Sequence, residues 1–408
     1  MFSERTNWRL ERNRFTEAVV QARAMGAKLL DLTASNPTRV GLRYESLAIL
    51  DALRSERALD YDPQAKGLLE AREAVAGYYG KMFARGEREV ASNVPTDSVV
   101  TAVGIDPERI VLTTSTSEGY SYVLRLLCNA GDEILVPKPS YPLFEFLADL
   151  QDVKLVPYPL IYDHGWQLDF PSMEKVVTAK TRAVVIVHPN NPTGSYVKAG
   201  ELALLNLFCR AHGLALIVDE VFLDYGLSPD DPPFSFALNR EILTFTLSGL
   251  SKISALPQMK VAWVITTGPQ AEVEAAMGRL EVIADTYLSM NAPIQWAVPA
   301  LLRERRNVQQ QLVGRVKSNL AELDRQLAAQ RSCQRLAVEG GWYAVLRVPV
   351  TRSDEELAIE LVRQRSVLVH PGHFYDFPND GYMVLSLITR EHEFAEGVAG
   401  MLEICDRG

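Results

Sequence analysis

At 408 residues, with 47% apolar and 23% charged side chains, the chain is long enough for two or three globular domains and ordinary for a soluble protein. A formal net charge of -9 argues against a nucleic-acid partner, whose phosphates call for clustered Lys and Arg. Met1 to Arg14 lacks the apolar core of a signal peptide, and no run approaches the roughly 20 apolar residues that span a bilayer, so no membrane partner and a cytoplasmic location are expected.

Residues 1–30 carry a helical pattern, and Asp31 to Thr38 read as a short strand ending in a turn, because Pro37 biases Asn36 away from helix. Ser35 and Asn36 are polar, turn-prone and candidates to line a cleft. Tyr61 to Gly67 form a second turn, followed by a helix from Leu68 to about Met82 with apolar residues at helical spacing. From residue 109 to 266 apolar strands alternate with helical segments. Seven strands are expected: Ile110 to Thr114, Ile134 to Val136, Lys154 to Pro157, Ala183 to His188, Leu214 to Asp219, Leu243 to Leu247 and Val261 to Thr266. Near-continuous apolar runs of this kind predict an α/β fold, a mostly parallel sheet covered on both faces.

Beyond residue 268 the pattern changes to long helices, clearest from Val308 to Ala328. A smaller α+β unit follows, with strands Trp342 to Val348, Val367 to His370 and Tyr382 to Leu387, a helix from Asp354 to Gln364 and a terminal helix. The expected division is an N-terminal segment, 1–45, joining the small domain, a large domain, 46–295, and a small C-terminal domain, 296–408. Cys128, Cys209, Cys333 and Cys405 are scattered with no Cys-x-x-Cys pair, and His370 and His373 stand alone, so no metal site is expected.

Ligands of such sheets sit beyond the carboxyl ends of the strands. After Thr114 the hydroxyls Ser115, Thr116 and Ser117 open a helix, an arrangement of donors suited to phosphate and equally suited to a plain helix cap. After Val136, prolines stiffen the loop around Tyr141, a flat face for stacking. After His188 come Asn190 and Asn191 in a turn. The next strand closes on Asp219, an acid that is costly to bury unless paired. The last of these loops, Leu247 to Lys260, presents Lys252 between two apolar runs, where a lowered pKa would let the neutral amine react with a carbonyl.

In this order, Tyr61 with Gly67, Ser115-Thr116-Ser117, Tyr141, Asn191-Pro192-Thr193-Gly194, Asp219, Ser251-Lys252 and Lys260 make the chain similar, over essentially its whole length, to the class I/II aminotransferases of PLP fold type I. The resemblance implies pyridoxal 5'-phosphate as cofactor, with an amino acid and a 2-oxo acid as substrates. It implies that Lys252 forms the Schiff base and then moves a proton, that Asp219 keeps the pyridine nitrogen protonated, that Asn191 bonds the ring oxygen and that Tyr141 stacks. Ser115, Thr116, Ser117, Lys260 and, by its place in the lysine loop, Ser248 would hold the phosphate. Tyr61 would reach the neighbouring site of a homodimer.

Several positions depart from the family pattern. Lys260 stands where an arginine is usual, Gly249 where a hydroxyl is usual, and Phe222 where a tyrosine bonds the ring oxygen, with Tyr225 three residues further on. The family arginine for the substrate carboxylate falls at Val384, which leaves Arg390, Arg39 and Arg43 as candidates and Asn36 as a further substrate contact. For that reason a PLP-dependent lyase, racemase, cyclase or arginine-modifying enzyme of the same fold is the alternative, and a regulator without turnover a third.

Overall fold

The computed structural model describes the chain except residues 9, 91–103, 143, 229–232, 289 and 408, and describes 81–90 by backbone alone. Among the described residues the largest sheet has eight strands, in the order Ile110–Thr113, Ala262–Thr267, Thr244–Gly249, Ala215–Asp219, Thr181–Val187, Glu133–Lys138, Lys154–Tyr162 and Trp166–Leu168. The seven expected strands are there. The eighth, Trp166–Leu168, is a three-residue antiparallel edge on Lys154–Tyr162, too short to show a pattern of its own. Neighbours from Thr244–Gly249 to Lys154–Tyr162 pair in parallel, and Ala262–Thr267 is antiparallel to both its neighbours.

The apolar runs are continuous because both faces are covered. Ile134, Val136, Ala183, Val185, Ala215 and Ile217 pack with Tyr120 and Val123 of helix Thr116–Leu127 and Val273 and Leu280 of helix Gln270–Tyr287. The alternate residues Leu135, Val184, Ile186, Leu216 and Val218 pack with Leu205 and Phe208 of helix Ala199–His212. This is the period-2 alternation of a strand, with a helix waiting on each side.

A second sheet, ordered Gln334–Arg335, Tyr343–Arg347, Tyr382–Ser386 and His370–Pro371, is antiparallel and carries helices Asp354–Arg365 and Glu391–Asp406. The expected strand Val367 to His370 is divided: Val367–Leu368 pairs in parallel with Leu30–Asp31, and His370–Pro371 pairs with Tyr382–Ser386. The N-terminal segment is thereby stitched to the C-terminal part of the chain.

Two helical expectations need correction. Among the described residues of 1–29 the helical elements are a short turn at Glu4–Thr6 and the helix Arg14–Ala24, which starts where Asn13 accepts from the Thr16 N–H at 2.7 Å and stops before Gly26, whose φ is 81°. The long helix begins at Ala292 instead of Val308 and runs 36 residues to Leu327. Asn291 caps it with a 3.2 Å bond from the Ile294 N–H, and Pro299 sits inside it. Its first turns (Ile294, Ala297, Val298, Leu301, Leu302) lie in a core with Leu250, Ile253 and Trp263, and its later turns (Val308, Leu312, Val316, Leu323) lie in the core of the smaller sheet.

Candidate functional site

Parallel neighbours deliver their carboxyl ends to one edge, and the lysine loop emerges there. Gly249 closes its strand against Val261 and Ala262 so tightly that a Cβ would lie 2.7 Å from the Val261 carbonyl oxygen. No hydroxyl-bearing side chain fits at that position, which explains one departure from the family pattern. Leu250–Ile253 then form one helical turn. Ala255 and Lys260 follow in the left-handed region, φ 52° and 54°, a conformation that costs a residue with a Cβ about 1–2 kcal/mol and is kept by the packing of the loop.

The Lys252 amine is 4.9 Å from the Trp342 ring centroid and 5.4 Å from that of Phe222. Burial lowers its pKa to about 8, against the opposing pull of Asp219, so neutral amine is within reach at ordinary pH. The Lys252 carbonyl accepts the Tyr225 hydroxyl at 2.6 Å. Tyr225 is therefore occupied with the loop backbone.

Asp219 ends its strand half-buried. One oxygen accepts the Val221 N–H at 3.1 Å and the other the Tyr120 hydroxyl at 3.4 Å. Burial raises its pKa to about 6, while those two donors and Lys252 draw it down. Tyr141 is 44% exposed, yet burial of its hydroxyl end and then the charge of Asp219 raise its pKa, so the two share a field. Its loop is tied to the smaller sheet by Lys138–Asp376, 3.1 Å, and by the Ser140 N–H donating to the Tyr375 carbonyl at 3.0 Å.

The two asparagines divide their work. Asn190 accepts the Thr193 hydroxyl at 2.9 Å and its N–H at 3.3 Å, and so builds the turn. Asn191 is 8% exposed and its amide oxygen has no partner among the described residues. A buried amide left unpaired costs roughly 1–3 kcal/mol, and a bound ligand is one way such a group is satisfied. His188, which starts the turn, is neutral: burial holds its pKa near 3, Val197 N–H donates to Nδ1 and Nε2 bonds the Phe234 carbonyl.

Other expected residues are placed differently. Ser115 caps helix Thr116–Leu127 by accepting the Glu118 N–H at 3.2 Å, leaving the half-buried Thr116 and Ser117 beside it, while Glu118 accepts from Thr114 at 2.6 Å. Gly119 lets that helix descend onto the sheet, since a Cβ would lie 2.9 Å from Val264. Ser248 is buried and donates to the Glu220 carbonyl at 3.3 Å. Lys260 is exposed. Asn36 caps its own turn through Thr38, at 3.0 Å. Arg390 is exposed and lies over Gly41, and Arg39 and Arg43 are exposed too. Val384 is 1% exposed, between Val345 and His370 in the smaller sheet. Tyr61 lines, with Arg57 and Trp296, a cavity of about 540 Å³ whose walls include neither Lys252 nor Asp219.

Sequence reasoning missed Tyr120 and the segment Gly340-Gly341-Trp342. Tyr120 lies five residues after Ser115 on the sheet-facing side of its helix, buried in the core between helix and sheet. The signal for the other was paired glycines before a tryptophan. Gly340 N–H donates to the Gly194 carbonyl at 2.9 Å and Gly341 N–H to the Tyr225 carbonyl at 3.0 Å, which brings the asparagine turn, the Asp219 loop and Trp342 together.

A buried amide whose oxygen is unpaired among the described residues, a carboxylate ending its strand and an amine of lowered pKa on one edge fit pyridoxal phosphate by the chemistry of these groups. Residues 29–391 match the family described as Aminotransferase class I and II. The chain is 27% identical to the glutamate-pyruvate aminotransferase AlaA of Haemophilus influenzae, over 91% of this chain and 89% of that one. It is 26% identical to the alanine aminotransferase of Mycobacterium bovis, over 92% and 85%. Among solved structures, the alanine aminotransferase of Pyrococcus furiosus superposes over 100% of both chains with TM-score 0.86 at 20% identity. The aspartate aminotransferase of Thermotoga maritima does so over 99% and 100%, TM-score 0.80 at 20% identity. These relatives do not favour the lyase, racemase, cyclase or arginine-modifying alternatives. With a lysine edge of this design and a match that runs through both sheets, the chain belongs to the class I and II aminotransferases and is a transaminase dependent on pyridoxal phosphate.

Proposed function

We propose that Lys252 is the reacting amine of this transaminase and that Asp219, Asn191 and Tyr141 orient the cofactor around it. The observation that carries the reading is the meeting of an amine of lowered pKa, a strand-ending carboxylate and a buried amide whose oxygen is unpaired among the described residues, on one sheet edge. When bound, pyridoxal phosphate supplies an electron sink for the carbon that bears the substrate amine. Asp219 would hold a proton on the pyridine nitrogen, Asn191 would bond the ring oxygen, and Tyr141 would cover one face. Thr116, Ser117 and the helix N-terminus, with Ser115 as cap and with Ser248 and Lys260, would form the phosphate end. Lys252, once neutral, would accept the proton from the substrate carbon and return it to the cofactor side.

Tyr225 is spent on the Lys252 carbonyl, so the donor missing at Phe222 is not replaced by it, and Asn191 would bond the ring oxygen alone. The substrates would be an amino acid and a 2-oxo acid, and the names of the relatives make alanine or glutamate with pyruvate the first pairs to try. Arg390 and Asn36 remain the proposed substrate contacts. A cytoplasmic homodimer in which Tyr61 reaches the neighbouring site completes the reading, with segments 1–45, 46–295 and 296–408 as its parts; the last boundary falls inside the helix Ala292–Leu327.

An absorbance scan of the loaded protein, with amino acids added singly and then a 2-oxo acid, tests the function: reversible conversion to the amine form of the cofactor is expected. Lys252→Ala should abolish both covalent attachment of the cofactor and turnover. An alanine variant that turned over like the parent would overturn the assignment.

A further inference from the structure

We infer that Phe222 and Trp342 form an aromatic cage for the ammonium form of Lys252, which makes Trp342 a positioning residue for the reacting amine. The inference rests on the reading of Lys252 given above. Both ring centroids lie within the roughly 6 Å over which a ring quadrupole attracts a cation, at 5.4 and 4.9 Å. The rings themselves meet edge to face, 5.1 Å apart at 68°, so their faces form a corner. Tyr225 ties one wall of that corner to the lysine: its ring meets Trp342 at 5.1 Å and its hydroxyl holds the Lys252 carbonyl at 2.6 Å. Trp342 has no freedom to leave, being 0% exposed with its carbonyl accepting the Leu387 N–H at 2.7 Å.

The charged surroundings leave the cage a task. Asp219 is the charged group that acts on Lys252 from the neighbouring strand. Glu220 is turned away to Ser235 and the Phe236 N–H, at 2.7 and 2.6 Å, and Asp224 accepts the Tyr78 hydroxyl at 2.6 Å. From the smaller sheet Trp342 and Tyr343 present neutral rings. When Lys252 takes a proton from the substrate carbon it becomes an ammonium in a half-buried site, where an unpaired charge is expensive. A second carboxylate would hold that ammonium too firmly to release the proton. Two π faces hold it more weakly and accept no proton. At position 222 a ring without a hydroxyl suits this use.

The test is the pH dependence of amine-selective labelling of Lys252 in the apoprotein, read by peptide mass spectrometry and free of cofactor turnover. Trp342→Leu should lower the labelling midpoint by about half a pH unit to one and a half, and Trp342→Phe, which keeps a π face, should stay near the parent. The sign is diagnostic. If Trp342 served only to exclude water, Trp342→Leu would hydrate the amine and raise the midpoint. A rise, no change, or equal shifts in the two variants would overturn the cage. Should Trp342→Leu fail to fold, Phe222→Leu must lower the midpoint, and an unchanged midpoint there overturns it equally. Turnover by Lys252→Ala would instead sink the reading of Lys252 while leaving this titration intact.

Discussion

Beside the lysine edge sits a carboxyl group that the proposed chemistry does not use. Glu220 is 1% exposed, and burial raises its pKa to about 8 although Ser235 and the Phe236 N–H stabilise its charge. Folding thus favours its protonated form. That contribution is fully present below the ordinary glutamate range and is lost as pH rises through about 8; Asp219 behaves in the same sense around pH 6. Between about pH 5 and pH 9 the thermal midpoint of Glu220→Gln apoprotein should therefore fall several degrees less than that of the parent. Parallel slopes in a melting series across that range would show that Glu220 is not protonated in the fold. At this scale the sequence was partly legible. The position of Asp219 at a strand end was readable because strands end where apolar runs end. The division between Asn190 and Asn191 was not, because only the turn geometry decides which amide is spent on Thr193.

Among elements, the asparagine turn is the keystone between the two sheets. Gly194 has φ 72° and a Cβ there would lie 2.5 Å from the Gly340 carbonyl oxygen, while a Cβ on Gly340 would lie 2.6 Å from the Tyr196 hydroxyl. Gly340→Ala should cost about 1–3 kcal/mol in denaturant unfolding, because the Tyr196 ring must move and its hydroxyl bonds the Leu223 carbonyl at 3.2 Å. Activity should fall as well, since Trp342 is two residues away. A Gly340→Ala protein as stable and active as the parent would mean that this approach is not tight in solution. The sequence displayed the loops at the sheet edge, because parallel strands deliver their ends together. It did not display Trp342, whose partners Phe222 and Lys252 lie about a hundred residues away in the chain and are joined to it only by packing.

For the whole molecule, the proposed homodimer makes a complementation prediction. Tyr61 is 79% exposed and lines a cavity whose walls include neither Lys252 nor Asp219, so in the proposed dimer it would serve the other chain. Lys252→Ala chains, inactive alone, and Tyr61→Ala chains, weakly active alone, should recover about a quarter of the parent activity when unfolded and refolded together in equal amounts. That fraction follows from random pairing, in which half the dimers are mixed and each mixed dimer has one intact site. No recovery in a refolded mixture that sediments as a dimer would place Tyr61 outside the partner's site. Fold class was the most legible feature at this scale, since alternation of strands and helices survives any uncertainty in side-chain detail. The start of the long helix was the least, because Pro293 and Pro299 interrupt the pattern that a helix would otherwise show.

That helix also sets a phase. Its turns up to Leu302 grip one core and its turns from Val308 the other, with no break between them. Residues 303–307 therefore act as a shaft between two gears instead of a tether. One residue inserted there would rotate the second set of apolar side chains by about 100° and advance it by about 1.5 Å, turning Val308 and Leu312 away from the smaller sheet. The spacing of two hydrophobic faces along one rod thus helps determine whether Trp342, rooted in one core, arrives opposite Lys252, rooted near the other.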